Sequence, residues 1–147
     1  MNHRQILLPP GHSKPIGRYS PGLAVSVSRE FRLVFVSGQV ATDSRGCVVG
    51  LDDPARQTEE VFARIARVLA QAGGRLSDLV SVVIYLKNID DFAKVSAVRN
   101  RLLCDPAPAS TLVVVDSLAE PGCIVEISGI AVLPQSPSDE EGRRHDR

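Results

Sequence analysis

Cys123-Ile124-Val125-Glu126-Ile127-Ser128-Gly129-Ile130-Ala131-Val132 is the stretch on which the fold turns. A continuous apolar run bounded by Pro and Gly reads as a buried strand, and the run ahead of it, Ala109 to Val115, reads the same way. One carboxylate, Glu126, is set in the middle of the last strand. A buried Glu is costly unless paired or hydrogen-bonded, so it is either anchored for structure or kept ionisable for chemistry.

Upstream, Leu79 to Leu86 is strongly β-branched and predicts a central strand ended by Asn88. Ala24 to Ser28 and Leu33 to Val36, joined by the polar turn Arg29-Glu30, predict a hairpin whose second strand ends at Ser37, Gly38 and Gln39. Asp53-Pro54 is a helix start with the Asp as N-cap. Val61, Phe62, Ile65, Val68, Leu69 and Ala72 follow on one face, with Arg56, Glu59, Glu60, Arg64 and Arg67 assigned to the other, until Gly73-Gly74 stops the helix. Asp90 or Asp91 caps a second helix with Phe92, Val95, Val98 and Leu102 inward, which Pro106 and Pro108 forbid from continuing. The order β-β-α-β-α-β-β, with two helices on one face of a mixed sheet, is an α+β two-layer domain.

Residues 1–22 are rich in Pro and Gly and predict an extended arm without regular structure, in which Arg18 and Tyr19 are conspicuous. The domain is expected to span 1–133. The polar segment 134–147 has no apolar anchor and is expected to be a disordered tail. The strands are apolar on both faces: Leu33 and Phe35 alternate with Val34 and Val36, and Val113 and Val115 with Leu112 and Val114. A second apolar face predicts burial against another subunit.

The 147 residues make one domain by size. With 17 Lys plus Arg against 17 Asp plus Glu, the chain offers no phosphate footprint for nucleic acid. Cys47, Cys104 and Cys123 are odd in number and widely spaced, suggesting neither a disulfide framework nor a zinc site. Cys104 and Cys123 are read as buried thiols. The run Ile6-Leu7-Leu8 is too short for a signal peptide, and nothing approaches the roughly 18 apolar residues of a membrane span, so a cytoplasmic protein is expected. His3, His12 and His145 fall in arms or tails and make no Cys/His or Ser/His catalytic pair.

Seven motifs in register resemble the RidA (YjgF) family, the reactive intermediate/imine deaminases: Pro15 to Ser20; Val36-Ser37-Gly38-Gln39 with Gly46; Ala55-Arg56-Gln57; Ala72-Gly73-Gly74; Lys87 to Phe92; Pro108-Ala109; and Val125 to Ala131. The resemblance runs from about residue 13 to 133. It implies a chorismate-mutase-like homotrimer with a central barrel and intersubunit clefts. It also implies hydrolysis of small imines or enamines, such as 2-aminoacrylate, to keto acids and ammonia, with water as nucleophile and without metal or organic cofactor. RNA cleavage is also ascribed to the family; the neutral charge and lack of an aromatic-basic patch give it little support here.

By the same resemblance Glu126 is the cleft glutamate that positions or activates water, Tyr19 the aromatic lining the cleft, and Ser37 and Gly38 part of its wall. The family's substrate-binding arginine, which follows Pro-Ala, is Ser110 here, the thiol often found two residues later is Leu112, and an Asn of the second helix is Ser96. Losing a bidentate guanidinium clamp weakens carboxylate binding by about two orders of magnitude. Three readings stand: a substrate other than 2-aminoacrylate with Ser110 fitted to it; Arg18 supplying the missing charge; or a non-catalytic, small-molecule binding or chaperone-like trimer.

Overall fold

Alternation of burial along the central strands sets the architecture. The computed structural model describes residues 3–15 and 17–135. Its elements are β1 (Arg4–Leu7), β2 (Gly22–Ser26), β3 (Phe31–Val40), α1 (Pro54–Ala70), β4 (Leu79–Leu86), α2 (Phe92–Leu102), β5 (Ala109–Val114) and β6 (Val125–Pro134). They form one six-stranded sheet in the order β1-β2-β3-β6-β4-β5, antiparallel throughout except for the parallel β4–β5 pair. This is the expected α+β domain with a mixed sheet and two helices.

In β6, Val125, Ile127, Ala131 and Leu133 are buried beneath the helices, packed with Val34, Ile84, Phe62, Ile65 and Val95. Glu126, Ser128, Ile130 and Val132 point to the other face and are only half-buried. The buried position expected for Glu126 is thus corrected: period two puts it on the sheet face that no helix covers. Phe35, 42% exposed, and Val113, 40% exposed, share that face, so the second apolar surface read from the sequence is present.

Helix α1 starts as its sequence dictates. Asp53 Oδ1 accepts from Arg56 N at 3.0 Å, and Pro54 takes the first turn, where no amide is needed. After the last turn Gly73 adopts φ +79°, and Arg32 Nη2 donates to Ala72 O at 2.8 Å, a cation at the negative helix end. Ahead of α2, Asn88 Oδ1 accepts from Asp90 N at 3.0 Å, capping a single 3₁₀ turn, and Asp91 makes no side-chain cap.

Several boundaries and placements differ from expectation. The N-terminal arm contains a strand: Arg4–Leu7 pairs with Gly22–Val25, and Leu7 is fully buried. Four residues are too few to show a period, and their partner lies across a Pro/Gly-rich loop. Gly22 is required there, because a β-carbon would overlap Val68 Cγ1. Pro134 closes β6, and Gln135 is still tied down, its N donating to Glu30 O at 2.8 Å and its Nε2 to Ser28 O at 2.9 Å. The rest of the expected tail, 136–147, lies outside the described residues. Arg64 is buried rather than on the polar face, Phe92 is exposed rather than inward, and Cys104 is exposed while Cys123 is buried. Among the described residues no helix is long and apolar enough to cross a membrane.

Candidate functional site

The β3–β6 pairing steps from Val36↔Gly129 to Gln39↔Ile127, so three residues of β3 span two of β6, a bulge at Ser37-Gly38. The bulge explains why the sequence reads as a strand end there, although pairing resumes through Val40. It also leaves room above Gly38 for the side chain of Glu126: a β-carbon on Gly38 would overlap Glu126 Oε1 and sit 2.9 Å from its Cδ. Glu126 opens into a cavity of about 280 Å³ lined by Gly38, Tyr85, Ser128 and, from the β5–β6 loop, Val115, Ser117, Leu118 and Ala119.

The Glu126 carboxylate makes no hydrogen bond or ion pair among the described residues, and partial burial pushes it above the ordinary glutamate value. A desolvated carboxylate with no partner is not a structural anchor. It is free to exchange a proton with whatever fills the cavity, and its raised affinity for a proton suits it to act first as base and then as acid.

The loop wall of this cavity is held from beneath. Gln57, fully buried on α1, donates through Nε2 to Gly122 O at 2.9 Å and Gly50 O at 3.2 Å, and accepts from Ile124 N at 2.7 Å. All of these acceptors and donors belong to loops flanking the site, so one amide ties both loops to the helix.

The other residues singled out from sequence are dispersed within one chain. Ser37 lies beside Glu126's strand in a shallow groove with Phe35, Ser81 and Ser128, and its Oγ donates to Ser20 O at 2.6 Å. Tyr19 is 54% exposed and lines a second cavity, of about 310 Å³, that shares Gly38 with the first. Arg18 is exposed and lines none of these cavities. Ser110 pairs with Val82, on the helix side of the sheet, whereas Glu126 pairs with Tyr85 on the opposite side. Ser110 instead lines a cavity with Arg99, Asn100 and Asp105. Of these residues, then, only Gly38 meets Glu126 within the chain.

Three participants were not singled out. Tyr85 and Ser128 follow from strand register, which the sequence does not give. Arg64 left a clear signal: it falls at helical spacing between Val61 and Val68, on the apolar face of α1. It is 5% exposed, and its guanidinium donates to Thr42 O at 2.6 Å, Ser13 Oγ at 3.1 Å and Gln39 Oε1 at 3.3 Å. Its Nη2 also lies 3.0 Å from His12 Nε2. Burial and the neighbouring Arg64 and Arg67 push the His12 pKa down to about 4, so the ring is neutral at pH 7 and accepts from Arg64.

Comparison with known proteins identifies the family and the fold. The Endoribonuclease L-PSP family model matches residues 11–133. A RutC family protein from Pyrococcus abyssi is 31% identical over 128 residues, covering 87% of this chain and 96% of its own. The 3-aminoacrylate deaminase RutC from Acinetobacter baylyi is 30% identical over 128 residues, covering 87% of this chain and 97% of its own. The crystal structure of RidA from an Antarctic Psychrobacter superposes with a TM-score of 0.76 at 31% identity, over 88% of this chain and 99% of that one. The chain belongs to the Endoribonuclease L-PSP family, the RidA group whose motifs its sequence carries.

Proposed function

We propose that this protein is a hydrolytic deaminase of small imines or enamines, with Glu126 as the group that activates water. The carrying observation is the unpartnered, half-buried Glu126 carboxylate facing a cavity beside Gly38. Water held by the carboxylate adds to the C=N carbon, the C–N π pair moves to nitrogen, and Glu126 takes the water's proton. With the C=N group entering as the iminium, this leaves a neutral carbinolamine; the same proton then passes to its nitrogen, the C–N bond breaks as an oxygen pair forms C=O, and the hydroxyl proton returns through the Glu126 carboxylate to the departing ammonia, so that ammonium and a carbonyl product leave. Tyr19, Ser37 and Ser110 hold the substrate in this reading. The 3-aminoacrylate deaminase among the relatives supports an enamine class of substrate.

The working unit in this reading is a homotrimer in a cytoplasmic setting, its clefts formed between subunits. Support comes from the exposed apolar sheet face around Phe35 and Val113, and from the opposite orientations of Ser110 and Glu126, which only a neighbouring subunit could bring together. Ser110 at the family's arginine position favours a second reading, ligand binding without turnover.

Imines generated in situ by an amino acid oxidase and trapped as semicarbazones separate the two. A deaminase lowers semicarbazone yield in proportion to its concentration, and Glu126→Ala should cost about 10²- to 10⁴-fold. Binding without any such decrease supports the second reading. Full activity in Glu126→Ala removes the proposed mechanism.

A further inference from the structure

The cavity that shares Gly38 with the Glu126 cavity is cationic. Lys14, Arg45 and Arg64 line it against a single carboxylate, Glu120, and His12 beside them is neutral. Arg64 carries the strongest signal. Every partner of its guanidinium is uncharged: a backbone carbonyl, an amide oxygen, a hydroxyl and a neutral imidazole. It forms no ion pair among the described residues, unlike Arg56 and Arg67, which pair with Glu60, and Arg101, which pairs with Glu59. A buried guanidinium hydrogen-bonded only to neutral groups leaves positive potential in the adjoining space, which Glu60 offsets only in part and without an ion pair. Lys14 and Arg45 are exposed at the same cavity. The Arg45 loop is held in shape by Asp43 Oδ1, which accepts from Arg45 N and Cys47 N, both at 2.9 Å.

The geometry points to an anion-binding pocket for a small organic carboxylate, held by Arg64, Lys14 and Arg45 with Tyr19 at its side. Its volume of about 310 Å³ suits a ligand of a few heavy atoms. Gly38 lines both cavities, so the two adjoin at the Ser37-Gly38 bulge. This gives the chain a cationic site to serve where Ser110 replaces an arginine, and it assigns that role to a buried α1 residue rather than to Arg18. That the carboxylate belongs to the substrate rests on the deaminase reading; that an anion binds rests on the cavity alone.

Titrating the full chain with pyruvate and with acetate by isothermal calorimetry, at constant ionic strength, tests the pocket. Saturable binding is expected, weakened about tenfold or more in a Lys14→Ala/Arg45→Ala double variant, whose two exposed positions leave the fold intact by circular dichroism. Arg64→Gln should reduce binding further in any preparation that folds. No saturable binding by the wild type, unchanged affinity in the double variant, or loss of binding through Arg99→Ala in the Ser110 cavity instead, overturns the assignment. So does binding of inorganic phosphate with none of pyruvate or acetate. A wild type that binds pyruvate in this way but hydrolyses no imine upholds the pocket and removes the deaminase reading.

Discussion

Glu126 Oε1 occupies the space that a β-carbon on Gly38 would fill. The glycine is therefore a condition for the carboxylate's position. Gly38→Ala must push the Glu126 side chain away from the bulge, and a displacement of about an ångström in a catalytic group costs on the order of 10²-fold in rate. Deaminase activity should fall by that amount while the melting temperature changes little, because the carboxylate can swing into the open cavity. Steady-state kinetics beside thermal melts will check it.

Glu126→Gln should stabilise the protein while cutting turnover by about 10²- to 10⁴-fold. Burial raises the folded-state pKa of Glu126, so the fold binds that proton more tightly than the unfolded chain does, and stability falls as pH rises through the folded value. Removing the charge recovers this loss at neutral and alkaline pH, and recovers nothing below about pH 4, where the carboxyl is protonated in both states. Differential scanning calorimetry should show the variant melting higher at pH 8, with the difference vanishing in acid.

His12 has the opposite sign. Its folded pKa of about 4 lies below the ordinary imidazole value, so the stability it carries is complete above about pH 6.5 and is lost as pH falls towards 4. A protonated His12 also faces Arg64 as a like charge. His12→Gln, whose amide oxygen can accept from Arg64 without titrating, should flatten the pH dependence of the melting temperature across that window.

Leu7→Ala tests whether β1 belongs to the domain. Leu7 is fully buried against α1, and truncating such a leucine costs about 2–5 kcal/mol. Urea unfolding should report a loss of that size, whereas truncating the neighbouring Ile6, 66% exposed, should cost under about 0.5 kcal/mol.

Phe35→Glu places a charge on the open sheet face without disturbing the helix-side core. If that face is a subunit contact, the variant elutes as a monomer on size exclusion with light scattering and loses imine hydrolysis. A trimer retained in the variant would place the contact elsewhere.

The sequence made the α+β layout readable wherever a period or a cap was long enough to detect. Asp53-Pro54, the stripe along α1 and the β-branched runs each determine their element locally. It failed where pairing partners decide: Arg4–Leu7 becomes a strand only because Gly22–Val25 is beside it, and β3 runs past Ser37-Gly38 only because β6 continues. The site divides the same way. Glu126 stands out as a charge in an apolar run, but which face it takes depends on register. Arg64 was assigned to solvent by its charge, although its spacing from Val61 and Val68 already pointed inward. A long polar side chain can join an apolar stripe when loops supply its acceptors, and those loops are set by tertiary structure.

The Gln57 amide makes the loop between β5 and β6 exchangeable. Its two ends are posts, Val115 N on Leu86 O at 2.9 Å and Ile124 N on Gln57 Oε1 at 2.7 Å. Between them Ser117, Leu118 and Ala119 contribute wall and no anchor. Grafts of different length or chemistry inserted between Val115 and Gly122 can reshape what enters beside Glu126 while sheet, helices and carboxylate stay where they are, which makes this segment the natural starting point for redirecting the scaffold to new substrates.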